Sequence, residues 1–255
     1  MRFSYSRVDC FSQCRNKYKL RYIDKLTTYD ECDAQDPLKI GTALHKGIET
    51  DVKTAIKEYY SSYPIITDLH VEEAIKLEYW IPKVKARLPS GGQFEVKIEC
   101  DDFVGYIDYL VKNDDGTYDI YDFKYSNAID RYKESKQLHV YKALAEKILN
   151  IKVRDLYFVF IPKVAIRMKK TENQFTFRKR LNDELNSKEI TISNITYDKE
   201  KVNGFLTNIK EIGICTDYTK NTTKLCDWCE YKDYCIKGDD LNIVVKRWYE
   251  QKEEN

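Results

Sequence analysis

The stretch Phe103-Val104-Gly105-Tyr106-Ile107-Asp108-Tyr109-Leu110-Val111-Lys112, then Asn113-Asp114-Asp115-Gly116, then Thr117-Tyr118-Asp119-Ile120-Tyr121-Asp122-Phe123-Lys124-Tyr125, decides how this chain folds. Both flanks alternate apolar and polar residues around a turn sequence, the pattern of a β-hairpin. With Asp114-Asp115-Gly116 as a three-residue loop and Gly116 in its left-handed position, Asn113 faces Thr117. Counting back five pairs sets Asp108 opposite Asp122. Two carboxylates with Cβ atoms roughly 5 Å apart repel one another unless a cation lies between them. Lys124 shares the face of Asp122, because residues two apart in a strand point the same way. Oxygen ligands beside an ammonium suit Mg²⁺ or Mn²⁺ and a phosphodiester. A solvent-facing hairpin with ordinary surface charges is the plainer alternative.

A chain of 255 residues, 42% hydrophobic, supports one sizeable core with a C-terminal extension. The expected layout is a single domain: an N-terminal helical segment over 1–36, a core over 37–213 and a cysteine-rich extension over 214–255. Its formal net charge is +1, so any basic groove for nucleic acid has to be local. No apolar run reaches the roughly 18 residues a membrane span needs, and the opening residues lack a signal core, so a cytoplasmic, intracellular protein is expected. Eight cysteines in a reducing compartment read as metal ligands or free thiols rather than disulfides.

Along the chain, Ser4 and Ser6 offer caps for a helix over 7–23, with Val8, Phe11, Tyr18 and Tyr22 as its buried stripe. Cys10 and Cys14 share a face of it. A long helix is expected over 40–60, opening on Gly41-Thr42-Ala43-Leu44-His45, where small residues permit close approach. His45 and Glu49 lie one turn apart on it. A helix over 69–88 and a strand over 93–100 lead into the hairpin. A helix over 129–149 follows, with Gln137 and Tyr141 on one face, then an apolar strand over 153–161 suited to the sheet centre. Residues 164–180 mix aromatic and basic side chains, which suits either a phosphate backbone or a solvated surface. Lys199–Ile212 is a further helix.

The segment from Cys226 to Cys235 carries three cysteines, at 226, 229 and 235, in a polar setting unsuited to core thiols. One more thiolate completes a four-coordinate site. Zinc usually takes two close pairs, whereas a four-iron, four-sulfur cluster accepts cysteines from distant places. Cys14 or Cys10 is the available fourth.

These pieces together resemble the RecB-like branch of the PD-(D/E)XK nuclease superfamily, in particular the iron–sulfur forms among CRISPR-associated RecB-like exonucleases and AddB-type nuclease domains. Residues 6–20 are similar to the N-terminal segment carrying a cluster cysteine, which selects Cys14, although Arg15 stands where the family usually has proline. Gly41 to His45 resembles the Gly-x-x-x-His motif, Gly105 to Asp108 the motif of the first aspartate, Asp122-Phe123-Lys124 the Asp/Glu-x-Lys signature, and Gln137 to Tyr141 the Gln-x-x-x-Tyr motif. The resemblance implies an α/β, restriction-endonuclease-like mixed central sheet flanked by helices, its two ends joined at the cluster. It implies a metal-dependent deoxyribonuclease in which His45, Asp108 and Asp122 hold Mg²⁺ or Mn²⁺ and Lys124 positions the attacking water. Gln137 and Tyr141 then orient the strand, and Cys14, Cys226, Cys229 and Cys235 hold a 4Fe-4S cluster, with Zn²⁺ as the alternative. DNA is the implied partner, with recombination or CRISPR adaptation proteins beside it and no membrane. An exonuclease on single strands or DNA ends, in recombination, repair or spacer acquisition, is expected. The rival is a non-catalytic DNA-binding or assembly subunit that keeps the fold.

Overall fold

The computed structural model describes residues 2–28 and 32–238, and the backbone of 244–246. Ser4 caps α1 (Tyr5–Gln13), its hydroxyl accepting from the Arg7 N–H at 3.3 Å. The single helix expected to residue 23 is interrupted at Cys14, whose extended backbone (φ −159°, ψ 112°) ends α1. Its sulfur caps α2 (Arg15–Tyr18), accepting from the Lys17 N–H at 3.5 Å. A π-helical turn (Lys19–Ile23) and β1 (Leu26–Thr28) follow.

Asp36 caps α3 (Pro37–Glu49), and Pro37 takes the first helical position, where its missing N–H costs nothing. The long helix expected over 40–60 is two helices: Thr50 leaves helical geometry (φ −111°, ψ −94°) and Asp51 caps α4 (Val52–Ser61). Gly47 allows this fold-back. A Cβ there would lie 2.3 Å from Ile81 Cδ1 and 2.7 Å from Ala55 Cβ, so only glycine admits both neighbouring helices. Ile81 belongs to α5 (Asp68–Lys85), whose first turn is closed by the Thr67 N–H donating to His70 Nδ1 at 3.1 Å.

Then come β2 (Gln93–Cys100), β3 (Phe103–Lys112) and β4 (Tyr118–Tyr125). The expected helix over 129–149 is split into α6 (Ile129–Lys133) and α7 (Gln137–Leu149). After β5 (Val153–Ile161), α8 (Gln174–Asn186), β6 (Thr191–Asn194) and α9 (Lys199–Ile214) lead to a 3-10 turn (Lys224–Trp228), α10 (Lys232–Lys237) and β7 (Val244–Lys246).

Five strands form one mixed sheet in the order β2-β3-β4-β5-β6. The pair β3/β4 is antiparallel, β4/β5 parallel and β5/β6 antiparallel. The parallel pair requires a crossover, which α6 and α7 supply. The hairpin closes as its sequence dictates: the Asn113 N–H reaches Thr117 O at 2.8 Å, the Gly116 N–H reaches Asn113 O at 2.9 Å, and Gly116 has φ +80°.

Two compact units divide the chain. The larger, residues 32–98 and 106–198, holds the main core. On one sheet face Tyr109, Val111, Tyr121 and Phe123 pack with Leu44, Ile48, Trp80 and Ile81. Each large apolar side chain fully buried here contributes about 1.5–3 kcal/mol. In the smaller unit, the Phe3 N–H donates to Asp102 O and Phe3 O accepts from the Val104 N–H, both at 2.8 Å. The rings of Tyr5 and Phe205 stack at 5.9 Å. Its first and last segments interlace: the Asn16 N–H reaches Thr219 O at 3.2 Å, and the Tyr231 hydroxyl donates to Leu26 O at 2.7 Å. Strands β1 and β7 pair antiparallel in the same unit.

Candidate active site

The hairpin register runs from Lys112/Tyr118 to Tyr109/Tyr121, so the next pair sets Asp108 opposite Asp122. At that point the backbone of Phe123 serves side chains instead of a partner strand. Its N–H donates to Asp108 Oδ2 at 2.7 Å, and its carbonyl oxygen lies 3.1 Å from His45 Nε2. A carbonyl only accepts, so Nε2 carries a proton, and Nδ1 is the nitrogen that faces the site. Nδ1 stands 3.6 Å from Asp108 Oδ1. One residue between Asp122 and Lys124 thereby orients both donors.

Glu95 completes the group. One donor each from His45, Glu95 and Asp108 lie within 4.8 Å of one another. Glu95 sits in β2 with φ +51°, a left-handed conformation that costs a non-glycine residue roughly 1–2 kcal/mol. Its role is hidden in the sequence, because Phe94-Glu95-Val96 reads as ordinary alternation with the glutamate outward, and a local reversal of φ leaves no mark in such a pattern. Burial raises the pKa of Glu95; His45 opposes this, while the Glu49 carboxylate adds to it.

Asp122 stands beside this group, only 1% exposed. Its Oδ2 lies 2.5 Å from Lys124 Nζ, an ion pair short in distance but poorly aligned as a hydrogen bond, and its Oδ1 has no hydrogen-bond donor among the described residues. Lys124 Nζ also donates to Gln137 Oε1 at 3.0 Å and lies 5.5 Å from the Tyr132 ring centre. Burial lowers the Lys124 pKa, but Asp122 and Asp108 outweigh it, and the net change is upward, so the ammonium stays charged. Asp108 is pushed up to about 7, first by burial and then by the Asp122 carboxylate, with His45 and Lys124 opposing.

The donor set fits a hard divalent cation. A buried carboxylate oxygen without a donor on Asp122, an aspartate raised by burial and by that same carboxylate, and an imidazole nitrogen facing them make a set that a cation would satisfy. Beside this site, the first turns of α3 line a cleft of about 630 Å³ that also touches His45 and Glu95.

Of the remaining expected residues, Gln137 reaches the site through Lys124, whereas Tyr141, one turn further along α7, is buried. The other two histidines have structural partners: His70 closes α5 and His139 Nδ1 accepts from the Asp198 N–H. In the basic run, Arg180 grips Glu172 with two contacts of 2.6 and 2.7 Å and donates to Arg167 O, which ties it into the turn before α8.

The four cysteines all lie in the smaller unit. Asn16 Nδ2 is 3.6 Å from Cys235 Sγ, and Cys229 packs against the Leu20, Leu26, Tyr231 cluster. Among the described residues, no three cysteine sulfurs come within 4.8 Å of one another. Burial pushes the Cys10 thiol up to about 11, which disfavours the thiolate.

Comparison with known families agrees with this geometry. Residues 2–236 match the model of the PD-(D/E)XK nuclease superfamily, and the chain belongs to that superfamily of metal-dependent nucleases. No curated protein matches it significantly. Among solved structures, one titled "Crystal structure of SSO0001" is similar over 79% of this chain and 84% of that chain, at 12% identity and a TM-score of 0.37, a likeness too low to carry an argument. No helix among the described residues is long and apolar enough to cross a membrane.

Proposed function

We propose that the protein is a RecB-like deoxyribonuclease that degrades single-stranded DNA or DNA from its ends, in recombination, repair or spacer acquisition. The observation that carries this reading is the convergence of His45, Glu95 and Asp108 beside a lysine held between Asp122 and Gln137. These donors would hold Mg²⁺ or Mn²⁺, with the Asp122 carboxylate as a further ligand. When bound, the cation lowers the pKa of water and offsets phosphate charge.

The chain's own residues divide the remaining work. Lys124, kept charged against burial by the Asp122 and Asp108 carboxylates, orients the attacking water and balances negative charge growing on the phosphate. Gln137 fixes the ammonium, and the Phe123 backbone fixes Asp108 and His45. Tyr141 supports the α7 face that presents Gln137 to the strand. Cys14, Cys226, Cys229 and Cys235 hold a structural 4Fe-4S cluster in the smaller unit, since hydrolysis transfers no electrons. Supporting it are the interlaced chain ends and the Asn16 to Cys235 contact.

The test compares linear with circular single-stranded DNA in Mg²⁺, using the parent and Asp122→Ala. Loss of linear DNA alone, absent in the variant, is expected. Cleavage of circles would make the enzyme an endonuclease, and binding without cleavage would favour a scaffolding subunit.

A further inference from the structure

Gly41 is a helical glycine that the fold itself does not explain. It lies inside α3, where glycine is about 1 kcal/mol less favourable than alanine. Its φ is not in the left-handed region, and a Cβ built on it meets no atom within 4 Å. Gly47, one turn and a half along, is the opposite case, closely crowded by Ile81 and Ala55. Gly213, which also has open space, sits in the last turn of α9, where a glycine ends a helix at little cost. Gly41 instead opens onto the cleft of about 630 Å³ and lies one turn before His45 on the same helix face. A missing side chain that relieves nothing inside the protein points to something outside that must approach the helix backbone.

The walls say what kind of group that is. Pro37 and Leu38 form an apolar rim, and Leu38 is 71% exposed although nothing in the larger unit covers it. Away from the metal donors the charged lining is acidic: Glu58 stands with Lys46, which is already paired with Glu49 at 2.8 Å. Phosphate is repelled by such a lining, whereas an uncharged, flat, apolar-faced group is accepted. Resting on the nuclease reading above, we propose that this cleft holds the nucleobase of the nucleotide whose phosphate meets the His45, Glu95, Asp108 donors, with the base lying over Gly41 against Leu38. The phosphate itself stays on the metal side, so one nucleotide spans both.

The experiment uses the full chain carrying Lys124→Ala, so that DNA is bound without being cut, in Ca²⁺. Affinity for a labelled single-stranded oligonucleotide is measured by fluorescence polarisation while an abasic sugar is moved along it, for this protein and for the same protein with Gly41→Leu added. Gly41→Ala is the milder second variant, and thermal melting checks the fold of each; both are expected to melt no lower than the parent. One abasic position is expected to weaken binding about tenfold, the size of one lost base contact. Gly41→Leu should lose a similar factor on intact DNA and no longer respond to that abasic position. A flat abasic scan, or Gly41→Leu binding like its parent, overturns the inference while leaving the nuclease intact. If the otherwise unaltered chain neither binds nor cuts DNA in Mg²⁺, the functional reading falls first and takes this one with it.

Discussion

Replacing Asp108 by asparagine is expected to stabilise the metal-free protein, and to do so more as pH rises. Asp108 has a pKa of about 7 in the folded protein against 3.8 when unperturbed, so the fold holds a proton that the unfolded chain releases. Stability therefore falls as pH rises between about 4 and 7, and the loss is complete above about 7. At about 1.4 kcal/mol per pH unit, this corresponds to up to about 4 kcal/mol. Asparagine keeps an oxygen for the Phe123 N–H and carries no charge, so it escapes the whole penalty. In EDTA the variant should melt roughly 5–15 °C above the parent at about pH 8 and nearly with it at about pH 4. Adding Mg²⁺ should raise the parent's melting point and leave the variant's unchanged. Thermal unfolding across that pH range, with and without metal, is the assay. A variant less stable than the parent at about pH 8, or a difference that does not vary with pH, would refute the view that the carboxylate is held against its preference for the sake of a cation.

Other substitutions probe the surrounding structure. Glu95→Gly should release the left-handed strain, raising stability by about 1 kcal/mol while weakening Mn²⁺ binding in a titration; a drop in melting temperature would mean the conformation is not strained. Gly47→Ala should destabilise by about 1–3 kcal/mol in urea unfolding despite its better helix propensity, because its Cβ overlaps Ile81 and Ala55. Cys229→Ser and Cys14→Ser should each abolish the visible absorbance of anaerobically purified protein, whereas Cys10→Ser should keep it; retention in Cys14→Ser would move the fourth ligand elsewhere.

The hairpin was legible because its two determinants are local. Alternation sets which side chains share a face, and Gly116 sets the loop length, so the facing of Asp108 and Asp122 follows by counting. The apolar run over 153–161 likewise announced a strand buried on both faces, and β5 lies between β4 and β6. Helix breaks were not legible. The apolar spacing of residues 40–60 runs on past Thr50, and the break there goes with packing, where Gly47 lets α4 and α5 meet the same turn of α3. At Cys14 a side chain that looked like one face of a continuous helix instead caps a second one. Glu95 was hidden for another reason: its role depends on a single reversed φ, which pattern reading cannot detect. His45 shows the intermediate case: its spacing marked no cluster and only the resemblance to the Gly-x-x-x-His motif set it in the site, while its Nε2 contact needed the Phe123 carbonyl to be in place.

The most direct measurement is digestion of end-labelled single-stranded DNA by the parent and by Lys124→Ala, in Mg²⁺ and in EDTA. Rapid loss of label by the parent in Mg²⁺ is expected, none in EDTA, and a rate at least about a hundredfold lower in the variant, the usual cost of removing one preorganised group that stabilises developing charge. Equal digestion by parent and variant, or digestion that persists in EDTA, would contradict this mechanism.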